Sequence, residues 1–120
     1  MWYKIEKKEA DFLKIKDVKE LEKIANNVRI GIIESVYAAK SGHPGGSLSI
    51  ADILTVLYFN QMNIDETKPQ DKSRDRLVLS KGHCAPALYS TLAERGFFEK
   101  GLLKTLRNIN GKLQGHPDMN

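Results

Sequence analysis

The chain has 120 residues, of which 41% are hydrophobic and 28% are charged, and its formal net charge is +4. This composition is typical of one globular domain and argues against wholesale disorder. The basic excess is dispersed, since residues 1–40 carry nine Lys/Arg against seven Asp/Glu and residues 61–120 carry ten against seven, which argues against a nucleic-acid-binding stripe.

Membrane and disulfide signals are weak in this sequence. The longest apolar run is far below the roughly 18 residues that a spanning helix needs, and the N-terminus has no apolar signal-peptide core. A lone cysteine, Cys84, cannot build an internal disulfide framework. We predict a cytoplasmic protein that binds neither membrane nor nucleic acid. Cys84 is predicted to be a buried, inert thiol and not a nucleophile paired with His83, because adjacent side chains usually point apart.

The first predicted element is a long amphipathic helix over about residues 17–40. Gly42 is expected to supply its left-handed C-terminal cap, and Pro44 stands where the helix cannot continue. Apolar residues recur along this helix at three- and four-residue steps: Leu21, Ile24, Ala25, Val28, Ile32 and Val36.

A second helix is predicted over about residues 50–60. Ser49 and Asp52 have the spacing of an N-terminal capping box, with Asp in place of the usual Glu. The polar segment 63–75 that follows is predicted to be a surface loop. The apolar residues of the helix follow a helical pattern: Ile50, Ile53, Leu54, Leu57 and Tyr58.

Next comes a predicted strand, turn and helix. Residues 76–80, RLVLS, form a short apolar run of strand length, and the segment KGHCAP follows as a turn. Pro86 suits the first turn of a helix that continues through 87–96 and is capped by Gly96. One more helix is predicted over 99–109.

The turn before that third helix is a candidate anion site. A helix N-terminus carries free N–H groups and the positive end of the helix dipole, which favour a phosphate-like group. Lys81 and His83 would lie there, and Gly82 would let a ligand approach the backbone. A turn that holds no ligand is the alternative interpretation.

His43 and His116 each stand between a glycine and a proline. The proline favours an extended histidine backbone, so the imidazole is presented from a rigid loop, which suits polar substrates and general acid–base chemistry. The alternative is that Gly42 and Pro44 only stop the helix, leaving His43 as an exposed bystander. Metal binding is not expected, because the histidines lack short ligand spacing and an obvious carboxylate partner.

Three segments together point to a family: KSGHPGGSLSIADILTVLYF, DRLVLSKGHCAPALYSTLAERGFF and LRNINGKLQGHPDMN. They closely resemble the beginning of the transketolases, and most closely the N-terminal subunit of the split, two-chain form. The resemblance covers residues 17–120 and leaves 1–16 as an N-terminal extension. It implies an α/β fold: the opening part of a thiamine-diphosphate-binding domain, with a parallel sheet flanked by helices, incomplete in this chain.

The resemblance also implies roles for the histidines. By it, His43 binds the sugar substrate and assists proton transfer as the catalytic residue, while His116 hydrogen-bonds the donor sugar. His83 contacts thiamine diphosphate near its phosphates. The implied reaction moves a two-carbon ketol unit from a ketose phosphate to an aldose phosphate, a step of the pentose phosphate pathway.

This sequence also departs from the family's pattern. The family holds Mg²⁺ and the diphosphate with a Gly-Asp-Gly motif and a later Asn, neither of which occurs here, so the metal ligands are expected outside this chain. The glutamate that activates the cofactor belongs to a second domain or subunit. The chain alone is therefore expected to be inactive and to need a C-terminal transketolase subunit or domain, in a homo- or hetero-oligomer.

Two other interpretations stay open. The enzyme could be another thiamine-diphosphate protein, such as a relative of deoxyxylulose phosphate synthase. The chain could also be a truncated, non-catalytic homologue, or an interaction module that pairs through its first two helices. In every case the isolated chain is expected to aggregate or to be partly molten, because a single strand forms no sheet and the second helix is apolar over much of its circumference.

Overall fold

The computed structural model describes residues 14–117 of the chain. Three α-helices form the frame of this part: α1 (Val18–Ala39), α2 (Pro44–Val56) and α3 (Ala85–Arg95). Shorter helical segments join them: a π-helical segment (Leu57–Gln61) that continues α2, and two 3₁₀ segments (Gly82–Cys84 and Lys100–Thr105). None of the helices in residues 14–117 has the length and apolar composition needed to cross a bilayer.

The three helices pack against one another around a shared apolar core. The face of α1 predicted from its periodicity is the face that packs inward, and Val28 and Ile32 are fully buried there. Removing this apolar surface from water is the main stabilising contribution to the helix packing. The core comprises Val28, Ile32, Ala51, Leu54, Tyr58 and Ala87.

The ends of α1 differ slightly from the prediction. Asp17 is the N-cap, and its carboxylate accepts a hydrogen bond from the backbone N–H of Lys19 (3.1 Å). At the other end Lys40, not Gly42, is the left-handed cap, with φ 55°. Gly42 also has a positive φ, 134°. The chain thus turns over several residues, and the predicted position of the cap was wrong by two.

The predicted capping box of α2 is wrong, because the helix begins earlier, at Pro44. Proline suits the first helical turn, where no N–H partner is required. Ser49 therefore lies inside the helix, and its hydroxyl donates to the carbonyl of Gly46 (2.8 Å). Asp52 pairs with the guanidinium of Arg29 (2.6 Å), which links α2 to α1.

The strand predicted at residues 76–80 is not formed. Within residues 14–117 the structure contains no strand, so the predicted parallel sheet is absent from this part of the chain. A strand is stabilised by hydrogen bonds to a neighbouring strand, and the described residues offer no second one. Val78, in the middle of the segment, is 91% exposed.

The third helix follows the prediction, and the fourth does so only in part. Pro86 lies in the first turn of α3, and Gly96 caps its end with φ 103°. The helix predicted over 99–109 is instead a 3₁₀ segment of six residues. It packs on both α1 and α3. A second apolar cluster joins it to α3: Ala85, Tyr89, Ala93, Leu103, Leu106 and Leu113.

Several large apolar side chains remain on the surface. On α1 these include Ile30 (55% exposed) and Tyr37 (83% exposed), and on α2 they include Ile53 (59% exposed). The predicted α2 face was therefore only partly correct, since Leu54 and Tyr58 are buried whereas Ile53 is not.

Candidate active site

The structure brings the three histidines together, although 73 residues separate the first from the last in the chain. The ring centroids of His43 and His83 lie 5.9 Å apart, and those of His83 and His116 lie 6.2 Å apart. Both ring pairs meet edge to face, at 70° and 77°. Each histidine lies in a separate loop or turn, so three distant segments form one cluster.

His43 is held at the junction of α1 and α2. It is the residue before α2, and its backbone (φ −121°, ψ 88°) lies outside the helical region, as expected of a residue before proline. Its side chain makes no capping hydrogen bond to the helix. The imidazole is therefore directed by the backbone and is not used to stabilise the helix end.

His83 lies in the 3₁₀ turn that leads into α3. The N–H of Cys84 donates to the carbonyl of Lys81 (3.1 Å) and closes this turn. Cys84 itself is 1% exposed, as predicted, and anchors the turn in the core while the His83 side chain remains outside. The turn thus holds the His83 ring at the N-terminal end of α3.

Lys81 connects this turn to the His43 segment. Its ammonium donates to the backbone carbonyl of Gly46 (3.2 Å) and to the hydroxyl of Ser49 (3.3 Å), both in α2. These contacts join residues 35 and 32 positions apart. The amine expected at the anion site therefore holds the His83 turn against α2.

His116 is positioned by two residues that the sequence did not indicate for this task. A Cβ on Gly82 would clash with Nδ1 of His116, so the missing side chain makes room for the ring. The phenol of Tyr89 donates to the carbonyl of Gln114 (2.8 Å), two residues before His116. This hydrogen bond thus attaches the loop that carries His116 to α3.

The histidines line an open pocket of about 140 Å³. Its described walls contain no carboxylate, and they carry one permanent cation, Arg107, which sequence reasoning missed. No local sequence signal identified Arg107 as a pocket residue. Its backbone is left-handed (φ 62°), a conformation that an arginine does not predict. The lining residues are Gly42, His43, His83, Pro86, Leu106, Arg107, Gly115 and His116.

The chemistry of these walls fits an anionic cofactor but not a metal ion. Imidazole N–H groups and a guanidinium are donors for phosphate oxygens, and Gly82 leaves the backbone open beside them. In residues 14–117 no group of three or more His, Cys, Asp or Glu side chains is placed to hold a metal. The part of the chain described here could hold the diphosphate of thiamine diphosphate, but not its Mg²⁺.

Comparison with known proteins identifies the family. The model of the thiamine diphosphate binding domain of transketolase matches residues 20–120. The chain is 45% identical over 100 residues to one of the subunits of the apulose-4-phosphate transketolase of Phocaeicola vulgatus, covering 83% of this chain and 36% of that protein. It is 45% identical over 97 residues to human transketolase, covering 81% of this chain and 16% of that one.

A solved structure agrees with this assignment. Transketolase from Leishmania mexicana superimposes with a TM-score of 0.78 and 33% sequence identity, over 82% of this chain and 15% of that one. The helices described above therefore have the arrangement of the corresponding part of a transketolase. The chain spans about a third of its Phocaeicola vulgatus relative and about a sixth of human transketolase. On this evidence the chain belongs to the transketolase family, as the N-terminal part of its thiamine diphosphate binding domain.

Proposed function

We propose that this chain contributes the histidine cluster of a transketolase that transfers a two-carbon ketol unit from a ketose phosphate to an aldose phosphate. The observation that carries the proposal is the meeting of three imidazoles at one pocket, with ring centroids 5.9 and 6.2 Å apart. The names of the relatives support the reaction class. A purely structural role would not require three exposed histidines from three separate segments.

Each histidine has a role suited to its position. His43, the residue before Pro44, binds the sugar and moves a proton at its hydroxyl groups, since an imidazole can both accept and donate a proton. His83, at the N-terminal end of α3, donates to an oxygen of the cofactor's diphosphate. His116, fixed beside Gly82, hydrogen-bonds the donor sugar.

Thiamine diphosphate, when bound, supplies the nucleophilic carbon that no side chain of this pocket provides. The protein then has to orient the sugar and control its protons. Pro86 and Leu106 form apolar walls of the pocket beside the histidines. The histidines of the pocket act as its proton donors and acceptors.

The active enzyme includes more protein than this chain. Relatives that are named as single subunits of transketolases support a C-terminal transketolase subunit or domain as the partner. Exposed Ile30, Tyr37 and Ile53 offer apolar surface for such an assembly, as a homo- or hetero-oligomer. Mg²⁺ would be held by ligands outside the described residues, and the cytoplasm is the proposed location.

The experiment uses the assembled enzyme that contains this chain. His83→Ala should weaken thiamine diphosphate binding by roughly tenfold or more, because a hydrogen bond to a charged oxygen is lost. Lys104→Ala, an exposed change on the 3₁₀ segment, is the matched control and should leave the affinity unchanged. Equal affinities in wild type and His83→Ala would contradict the assignment of His83.

Native mass spectrometry of the protein purified from its source tests the proposal as a whole. We expect this chain within a larger polypeptide or complex that carries thiamine diphosphate, with ketol transfer activity. A free species near 13.5 kDa without cofactor would instead support the non-catalytic interpretation.

A further inference from the structure

Arg107 brings a permanent positive charge to the histidine pocket. It follows Leu106, which is 2% exposed and belongs to the second apolar cluster, so its backbone is attached to the core. Its N–H donates to the carbonyl of Leu113 (2.8 Å), which closes the loop between them. The position of Arg107 at the pocket is therefore set by the fold.

The backbone at Arg107 is unfavourable for an arginine. Its φ of 62° lies in the left-handed region, which is unfavourable for most residues that have a side chain. Asn or Gly would adopt this conformation at lower cost. Arginine at this position therefore needs an explanation from its side chain.

The side chain of Arg107 lies against Gly115, the residue before His116. Nη1 of Arg107 is 3.0 Å from the point where Gly115 would carry a Cβ, so the guanidinium rests on bare backbone. Among residues 14–117 it has neither a carboxylate partner nor a hydrogen-bond acceptor. By contrast, Arg29 and Arg95 each pair with a carboxylate.

We propose that Arg107 binds an oxyanion group of a ligand in the histidine pocket, and so selects phosphorylated or sulfonated ligands over neutral ones. The guanidinium can donate two parallel hydrogen bonds to such a group. The inference deepens the proposed function, on which it rests for the identity of the ligands. The oxyanion could belong to the sugar substrate or to the cofactor, and the experiment separates these sources.

The first measurement does not depend on activity. Inorganic phosphate and sulfate are titrated by calorimetry into the assembled enzyme that contains this chain, prepared free of phosphate. Arg107→Gln should weaken binding by roughly tenfold or more, and Arg107→Lys should do so less, because a lysine keeps the charge but loses the paired donors. Arg76→Gln, which removes an exposed arginine outside the pocket lining, should change nothing.

A second variant guards against misfolding. Arg107→Asn removes the charge and suits the left-handed backbone, so it should unfold at the wild-type temperature or slightly above it. Its loss of phosphate affinity should match that of Arg107→Gln. A loss that appears only in variants with lowered thermal stability would overturn the inference.

The source of the oxyanion is then identified with three ligands. A rise in KM of roughly tenfold or more for an aldose phosphate, with no change for the unphosphorylated aldose, assigns the group to the substrate. A matching loss of thiamine diphosphate affinity assigns it to the cofactor. Unchanged affinity for phosphate, sugar phosphate and cofactor, or equal losses for the charged and neutral sugars, overturns the inference. A wild-type enzyme without ketol transfer would contradict the proposed function alone, since the phosphate titration still tests Arg107.

Discussion

Gly82 lies directly against the imidazole of His116, so that the missing side chain of one residue defines the position of the other. The contact joins the turn that carries His83 to the loop that carries the last histidine. The segments that carry two of the three histidines therefore meet at a single point of close approach.

Replacing Gly82 with Ala should displace the His116 ring, because the new Cβ would occupy the space of Nδ1. We expect ketol transfer by the assembled enzyme to fall by roughly a hundredfold, as a shift of about 1 Å in a substrate-binding group can have that effect. Steady-state kinetics with donor and acceptor sugars measure this loss.

Gly101→Ala is the control for this change. A Cβ at Gly101 would meet nothing within 4 Å, so the variant should retain full activity and at least wild-type stability. Equal activity of the two variants would show that the Gly82 contact does not position His116.

A second close contact, between Gly31 of α1 and Ser90 of α3, can be tested by substitutions in both helices. A Cβ at Gly31 would clash with Oγ of Ser90, whose hydroxyl donates to the carbonyl of Val28 (2.8 Å). Gly31→Ala should therefore destabilise the protein by about 1–3 kcal/mol, seen as a lower melting temperature of the assembled enzyme.

The double variant Gly31→Ala, Ser90→Gly should recover part of that loss, because the alanine methyl would fill the vacated space. Ser90→Gly alone costs a buried hydrogen bond and about 1 kcal/mol of helix propensity. Additive effects of the two single changes would exclude a direct contact.

The loop between the π-helical segment and α3 contains a carboxyl group with a shifted pKa. Hydrogen bonds from the hydroxyl (2.6 Å) and the backbone N–H (2.9 Å) of Thr67 lower the pKa of Asp65. A carboxyl whose pKa is lower in the folded state adds stability above its unfolded pKa of about 3.9, and that stability is lost as pH falls through the folded pKa.

Thr67→Val should raise the pKa of Asp65 towards its ordinary value, because only the backbone bond remains. Carboxyl carbon chemical shifts followed over acidic pH measure this change. Asp71 accepts matching bonds from Ser73, which lower its pKa and are retained in the variant, so its pKa should stay below the ordinary value and serve as the internal control. An unaltered Asp65 pKa would mean that the hydroxyl contributes nothing.

The chain purified alone should self-associate, because Ile30, Tyr37 and Ile53 expose large apolar surfaces. Sedimentation velocity at several concentrations should show oligomers, and heating should give a broad transition. Tyr37→Ser should reduce the association. A monomer with a sharp cooperative transition would contradict this expectation.

The helices could be predicted because their signals are local. The periodic apolar face of α1, Pro86 in the first turn of α3 and Gly96 at its end each act within a few residues. The family, too, could be recognised from contiguous motifs, and the matching model and relatives confirm it. The roles given to His43, His83 and His116 stay predictions.

The capping box was wrong because Pro44, a local signal that can begin a helix as well as end one, starts α2 a turn and a half earlier than predicted. The other errors arose where distant residues decide the outcome. Residues 76–80 have strand composition, but a strand needs a neighbour. Likewise, the guanidinium of Arg107 lies against Gly115, eight residues later, whose missing side chain leaves it room. No local pattern contains such information.

The contacts of Lys81 bear on how the histidine pocket should change when a neighbouring part of the protein is displaced. Its ammonium links the His83 turn to α2, directly after His43, so a displacement of α2 should move both imidazoles together. A faulty fit of another subunit would then tilt both imidazoles together without altering the spacing between them. Mutations at an assembly interface should accordingly change the orientation of both imidazoles together. Lys81→Met should instead let the orientation of one histidine vary relative to the other.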